Sequence, residues 1–349
     1  MKIFYSEEHR KHFPPFEVFD GGKRVPYYEN PDRMDRILSA LKKTDWTEFS
    51  EPKDFGLDPI HAVHDKGYIN FLASAWREWL ASDPEVAASP EQNAFLPATF
   101  ALRRKPRVPN TLLGKAGYYI MDLSACIVEA TYEASLASVN CALSAAEFIS
   151  SSIVNRPSSA FALCRPPGHH AGRDYAGGYC FINNACVAAN WLSSKGKVAL
   201  LDIDYHAGNG TQDIFYERND VLTLSIHGDP DYEYPHYIGF ADETGAGAGF
   251  GFHKNFPLPA GTNDKDYLFA LDDAITMIKN FSPIFLVLSA GMDIFDGDPL
   301  GKFHVTHNGI GEIGKRIAGL NLPAAIIMEG GYANEALGKN MVKLLENFK

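Results

Sequence analysis

Apolar residues recur at helical spacing early in the chain, in DRMDRILSALKK (32–43) and KGYINFLASAWREWLAS (66–82), and predict two amphipathic helices. From about residue 125 the pattern changes. Small-residue helical stretches, ASLASVNCALSAAEFISS (134–151) and NNACVAANWLSS (183–194), alternate with short continuous apolar runs. The runs are SAFALC (159–164), KVALLDID (197–204), VLTLSIH (221–227), PIFLVLSA (283–290) and PAAIIME (323–329). Uninterrupted apolar strands between helices predict a parallel sheet covered on both faces. The expectation is one α/β domain over 1–349, its central parallel sheet flanked by helices. Residues 83–116, rich in proline, read as a long loop insertion, the kind that is usually functional or interfacial. Its segment LRRKPRVPN (102–110) concentrates Arg103, Arg104, Lys105 and Arg107.

Chemistry gathers where the apolar runs end. Ligands of open α/β sheets sit beyond the carboxyl ends of the strands. The runs are followed by RPPGHHAG (165–172), DYHAGNG (204–210), HGDP (227–230), GMD (291–293) and GGY (330–332). In an extended chain alternate residues share a face, so Asp202, Asp204 and His206 would leave one side of a strand end together. Such groups are costly to bury unless they are paired or bind a metal. Asp204, His206 and Asp293 offer one imidazole and two carboxylates. That donor set suits a catalytic zinc with open positions, and it also admits Fe2+, Co2+ or Mn2+. His169 and His170 follow the stiff lead-in Pro166, Pro167 and Gly168, which could hold both rings beside a metal.

Composition narrows the class. A hydrophobic content of 46% over 349 residues can bury a large core. A net charge of -11 argues against a nucleic-acid partner bound through a broad basic surface. Five cysteines without CxxC spacing make neither a disulfide framework nor a thiolate zinc site, and they fit a reducing compartment. The opening MKIFYSEEHRKHF has no apolar signal region, and no stretch approaches the ~20 apolar residues of a membrane span. A cytoplasmic protein without a membrane partner is expected.

The segments RPPGHHAG, GGYCFINNA, DIDYHAGNGTQDIFY, GMDIFDGDPLG and MEGGY together resemble the zinc-dependent deacetylases of the arginase/deacetylase superfamily. Within that group, CRPPGHHAG, GNGTQDIFYER and RRKPRVP are most similar to bacterial acetylpolyamine amidohydrolases, relatives of the class II histone deacetylases. The resemblance implies an eight-stranded parallel sheet and a Zn2+ held by Asp204, His206 and Asp293. It implies a structural K+ around Asp202, Asp204, His206 and Ser225. His170 would act as general base and then acid, His169 would hold charge, and Tyr332 would polarise the acetyl carbonyl. Asp202 would orient His169, and Asn209 would contact His170. Gly178, Tyr179 and Tyr234 would wall a tunnel. Arg33 matches an arginine near an acetate exit channel, or else is a charge on a helix surface. The 83–116 loop would form a homodimer contact and the active-site rim.

The implied substrate is a small acetylated amine, an acetylpolyamine or acetylated diamine. Two departures bear on this. Ala207 stands where many relatives carry a second histidine; in an alternating strand it would face away from His206. The rim segment NTLLGKAGYYIMDLSAC presents Leu112, Leu113, Lys115 and Ser124, with Asp122 its only acid and so the expected partner of a distal ammonium. A weak cation site keeps a protein or peptide acetyl-lysine substrate open. Arginase-like guanidinium hydrolysis would want more bridging aspartates and histidines. A non-catalytic acetyl-amine binding module would lack a ligand or Tyr332, and all are present.

Overall fold

The computed structural model describes residues 1–101, 107–151 and 158–349. The strands are β1 (Lys2–Phe4), β2 (Glu17–Phe19), β3 (Lys23–Val25), β4 (Glu48–Ser50), β5 (Ser159–Ala162), β6 (Val198–Asp202), β7 (Val221–Gly228), β8 (His253–Leu258), β9 (Phe285–Ala290) and β10 (Ala324–Met328). Eight of them form one sheet in the order β4-β1-β5-β10-β9-β6-β7-β8, and every pairing is parallel. β2 and β3 make a separate antiparallel hairpin. The helices are α1 (Asp32–Leu41), α2 (Asp58–His61), α3 (Lys66–Ser82), α4 (Pro84–Ala88), α5 (Leu112–Tyr119), α6 (Thr131–Ser151), α7 (Asn184–Ser193), α8 (Asn209–Phe215), α9 (Asp264–Phe281), α10 (His307–Ala318) and α11 (Asn334–Leu345). None is long and apolar enough to cross a membrane.

Every residue of β6, β7, β9 and β10 is buried, as their unbroken apolar runs require of strands covered on both faces. Alanines make close cover possible: Ala142, Ala145 and Ala146 of α6 and Ala185, Ala188 and Ala189 of α7 are fully buried. α6 packs on β5 and α7, while α9 packs on β7.

The five expected strands are β5, β6, β7, β9 and β10, and they are consecutive neighbours across the middle of the sheet. Their carboxyl ends therefore open side by side. This adjacency brings the polar strand-end segments into one place.

Residues 83–116 are not structureless. Asp83 caps α4 by accepting from the Glu85 and Val86 amides, and Thr111 caps α5 by accepting from Gly114. Ala101 lies against α5, its amide donating to the Gly117 carbonyl at 2.7 Å. Arg103, Arg104 and Lys105 of the basic segment lie outside the described residues, and Arg107 is exposed.

Candidate active site

β6 stops at Asp202, two residues sooner than the apolar run suggests. The cause is Asp202 itself, whose Oδ1 accepts the Asp204 amide at 3.0 Å and bends the chain off the sheet. Asp204 and His206 therefore stand on a loop, not on a strand face. Asp204 Oδ1 accepts the His206 amide at 2.9 Å and its Oδ2 accepts the Gly330 amide at 2.8 Å. From the end of β9, Asp293 accepts the Tyr205 amide at 2.8 Å through Oδ1 and lies 3.1 Å from His206 Nδ1 through Oδ2. Gly330 closes this corner: a Cβ there would stand 2.4 Å from Asp293 Oδ2 and 2.7 Å from Asp204 Oδ2.

Asp204, His206 and Asp293 thus bring one ligand atom each within 4.8 Å of one another. Both carboxylates are fully buried, and among the described residues their ion-pair partners are His169 and His206 alone. Two buried carboxylates side by side demand positive charge. Burial disfavours an imidazolium at His206, yet hydrogen bonds to Asp204 and Asp293 raise its pKa to about 10. Burial and the charge of Asp204 push Asp293 up to about 7. The donors fit a divalent cation of the zinc type, with positions left for a water and a carbonyl.

Beside this cluster the two histidines have opposite partners. His169 Nδ1 donates to Asp202 Oδ2 at 2.9 Å, whereas His170 Nδ1 donates to the Asn209 side-chain carbonyl at 2.6 Å. Both rings are buried, with centroids 3.9 Å apart. For His169 burial disfavours the cation, but Asp204 and Asp202 outweigh it and hold the pKa well above the ordinary value. For His170 burial, then the neighbouring His169 and His206, hold it well below. The two surroundings favour charge on His169 and neutrality on His170, whose Nε2 lone pair is then available as acceptor.

Tyr332 is held by its backbone, since Asp298 Oδ2 accepts the Tyr332 and Ala333 amides at 2.6 and 2.7 Å. Its ring lies 5.8 Å from Tyr179, and the Arg33 guanidinium sits 4.7 Å from its centre. His169, His170, His206, Gly178, Tyr179, Tyr234 and Tyr332 all line one cavity of about 600 Å³. Gly178 has a φ of +53°, and a Cβ there would come within 2.2 Å of the His170 ring, so only glycine fits that wall.

A histone deacetylase domain matches residues 27–348. The chain belongs to the histone deacetylase domain family. Like other members it is a hydrolase of amides. It is 45% identical over 354 residues to acetylpolyamine amidohydrolase 1 of Pseudomonas aeruginosa, covering 100% of this chain and 99% of the relative. It is 41% identical to acetylpolyamine amidohydrolase of Mycoplana ramosa, with 99% of each covered. The crystal structure of acetylpolyamine aminohydrolase from Burkholderia pseudomallei superposes with a TM-score of 0.93 at 38% identity, covering 100% of this chain and 98% of that one.

Within this deacetylase domain the rim departs from the sequence expectation. Asp122 is not an open carboxylate awaiting an ammonium. Its Oδ1 accepts from the Ser124 amide, the Ser124 hydroxyl and the Ala125 amide. Its Oδ2 accepts the Gly178 amide at 2.8 Å and the Tyr234 hydroxyl at 2.7 Å. Asp122 instead ties Gly178 to Tyr234 within the lining of the cavity. Tyr234 stands perpendicular to His170 with centroids 4.9 Å apart.

Arg33 is fully buried and is no surface charge. It ion-pairs with Glu29 at 2.8 Å and donates to the Gly331 and Glu329 carbonyls at 2.7 Å. Ser225 lies beside Asp202 in the β6–β7 register, and its hydroxyl is 2.7 Å from His227 Nδ1. Ala207 is buried against the segment of Gly239, where an added Cβ would stand 2.8 Å from the alanine.

Three supporting acids escaped the sequence reading. Glu329 accepts the Gly168 and His169 amides at 2.7 and 3.1 Å, fixing the histidine loop to β10. Asp298 holds Tyr332 as described. Glu17 of β2 accepts the Tyr179 hydroxyl at 2.7 Å. Glu329 had a signal, an acid directly ending a buried apolar strand. Asp298 and Glu17 had none, since neither ends an apolar run.

Proposed function

We propose that the protein is a metal-dependent amidohydrolase that removes acetyl from a small acetylated polyamine or diamine. A divalent cation held by Asp204, His206 and Asp293, Zn2+ by preference, would supply Lewis acidity toward water and the acetyl carbonyl. His170, kept neutral by burial and oriented by Asn209, takes the proton of the attacking water at Nε2 and returns it to the departing nitrogen. His169, whose charged form Asp204 and Asp202 favour, holds that water by charge and hydrogen bond. The Tyr332 hydroxyl donates to the developing oxyanion. Tyr179 and Tyr234 grip the alkyl chain, with Gly178 leaving room between them. Arg33, buried behind Tyr332, offers positive charge on the route by which acetate would leave. A K+ beside Asp202, Asp204, His206 and Ser225 would be structural.

The observation that carries this reading is a pair of touching buried histidines, one bonded to a carboxylate and one to a neutral amide, beside a buried His–carboxylate cluster, all in one cavity. The high identity to acetylpolyamine amidohydrolases along the whole chain supports the substrate class. The full engagement of Asp122 favours short monocationic amines over polycations and gives the acetyl-lysine alternative its support. Exposed apolar side chains on the 83–116 segment, Phe100, Val108 and Leu113, support a homodimer contact there, and Phe100 also lines the cavity mouth. The test is acetate release from acetylcadaverine by protein stripped of metal and then reconstituted. Activity lost on stripping and regained with Zn2+ supports the reading; activity indifferent to metal refutes it.

A further inference from the structure

Outside the catalytic cluster and the tyrosines, the ionisable side chains that line the cavity among the described residues are Asp122, Glu233, Lys302 and His236. Asp122 is engaged on both oxygens. Glu233 and Lys302 form an ion pair at 2.7 Å, with the carboxylate 12% exposed and the lysine 61% exposed. Glu233 precedes the tunnel residue Tyr234, and its side chain lies over Tyr205, since a Cβ on Gly228 would touch Tyr205 Oη at 3.0 Å and Glu233 Cγ at 3.1 Å. The Tyr205 ring stands perpendicular to His206 with centroids 5.0 Å apart. Glu233 and Lys302 therefore line the same cavity as His206, with the buried Tyr205 ring between Glu233 and His206.

We propose that the Glu233–Lys302 pair reads the far end of the substrate and selects an acetylated amine ending in both an ammonium and a carboxylate, a free ω-N-acetylated amino acid, over the matching acetylated diamine. This rests on the amidohydrolase reading above. A lone distal ammonium meets a carboxylate already holding a cation and must displace Lys302 to reach it, exchanging one ion pair for another. A zwitterionic end keeps Lys302 in place: its ammonium adds to Glu233 and its carboxylate to Lys302. Such partly exposed pairs discriminate modestly, so the preference is about two- to fivefold.

Nε-acetyl-lysine and acetylcadaverine differ only by the α-carboxylate, which makes them the matched test. The experiment compares kcat/KM for both on the Zn2+-loaded full chain and on Lys302→Met and Glu233→Gln. Calorimetric Kd for both on metal-free protein gives a readout independent of turnover. Wild type favours Nε-acetyl-lysine about two- to fivefold, through KM and Kd and not kcat, because the pair is remote from the amide. Lys302→Met inverts or erases the ratio by freeing Glu233 for the diamine, and Glu233→Gln weakens both substrates. Equal use of the two by wild type, or a preference that survives Lys302→Met, overturns this inference and leaves the amidohydrolase reading standing. Hydrolysis of neither substrate by loaded enzyme overturns both.

Discussion

Replacing Asn209 by aspartate puts the base assignment to the test. His170 Nδ1 donates to Asn209 Oδ1 at 2.6 Å, and both residues are buried. A carboxylate there would place a negative charge roughly 4 Å from the centre of an imidazolium, a favourable interaction of about 4 kcal/mol at an effective dielectric of about 20. Against this stands the desolvation of a new buried charge, which costs several kcal/mol in principle and part of that where a donor already faces it. The substitution also loses the Asn209 Nδ2 contacts to the His170 carbonyl and the Tyr175 hydroxyl, each 3.3 Å. A net gain of about 1–3 kcal/mol for the protonated ring remains. Since 1.36 kcal/mol corresponds to one pH unit, the acidic limb of the activity profile moves by about one to two pH units.

The sign follows from the role. His170 must be neutral to accept a proton, and burial together with His169 and His206 keeps it neutral well below the ordinary histidine range. Raising its affinity for protons extends the inactive protonated form upward in pH. The assay is kcat/KM for acetylcadaverine between about pH 5 and 10, with metal content and thermal midpoint measured on the same samples. Asn209→Asp loses activity at a pH about one to two units higher than wild type does, and recovers on the alkaline side. An acidic limb that superposes on wild type, in a folded and metal-loaded variant, would show that His170 is not the base.

Other consequences are simpler to read. Tyr332→Phe keeps the fold, because Asp298 holds the backbone of residue 332 and not its hydroxyl, but it loses about 3–4 kcal/mol of oxyanion stabilisation, seen as a fall of two to three decades in kcat with little change in KM; near-normal turnover would mean that another group polarises the carbonyl. Tyr234→Phe removes one donor from Asp122 and opens its Oδ2 to the cavity, so KM for acetylspermidine, which carries extra distal cations, falls relative to acetylputrescine; an unchanged ratio would show that Asp122 stays closed to ligands. In sedimentation the protein runs as a dimer, and Phe100→Ser with Leu113→Ser shifts it toward monomer; a monomeric wild type removes the interface assigned to this segment.

Much of this architecture was legible because buried strands are written as continuous apolar runs. β5, β6, β7, β9 and β10 stand out in the sequence for that reason, and they happen to be the strands that carry the site. β4 and β8 form the two edges of the sheet and contain EFS and HKNFPL, polar enough to pass as loop. β1 spans three residues and leaves no periodicity to read.

At the site, the histidines and the metal-type donors were legible as costly groups at strand ends. The strand-face reading of 202, 204 and 206 was not correct: the Asp202 side chain captures the Asp204 amide and ends the strand, a local competition that apolar patterning does not register. Asp122 was legible as the only acid of its segment but not in its role. Its partner Tyr234 is 112 positions away in sequence, and only the folded rim brings the hydroxyl onto the carboxylate. Glu233 and Lys302 are likewise 69 positions apart and meet only at the cavity mouth.

The central claim is that Asp204, His206 and Asp293 hold one divalent cation on which amide hydrolysis depends. The most direct measurement is metal content by elemental analysis alongside acetate release, on wild type, His206→Ala and Asp293→Ala purified identically. The account predicts one tightly held ion per wild-type chain, its loss from both variants, and loss of acetate release in proportion. Either variant releasing acetate at the wild-type rate without bound metal would contradict it.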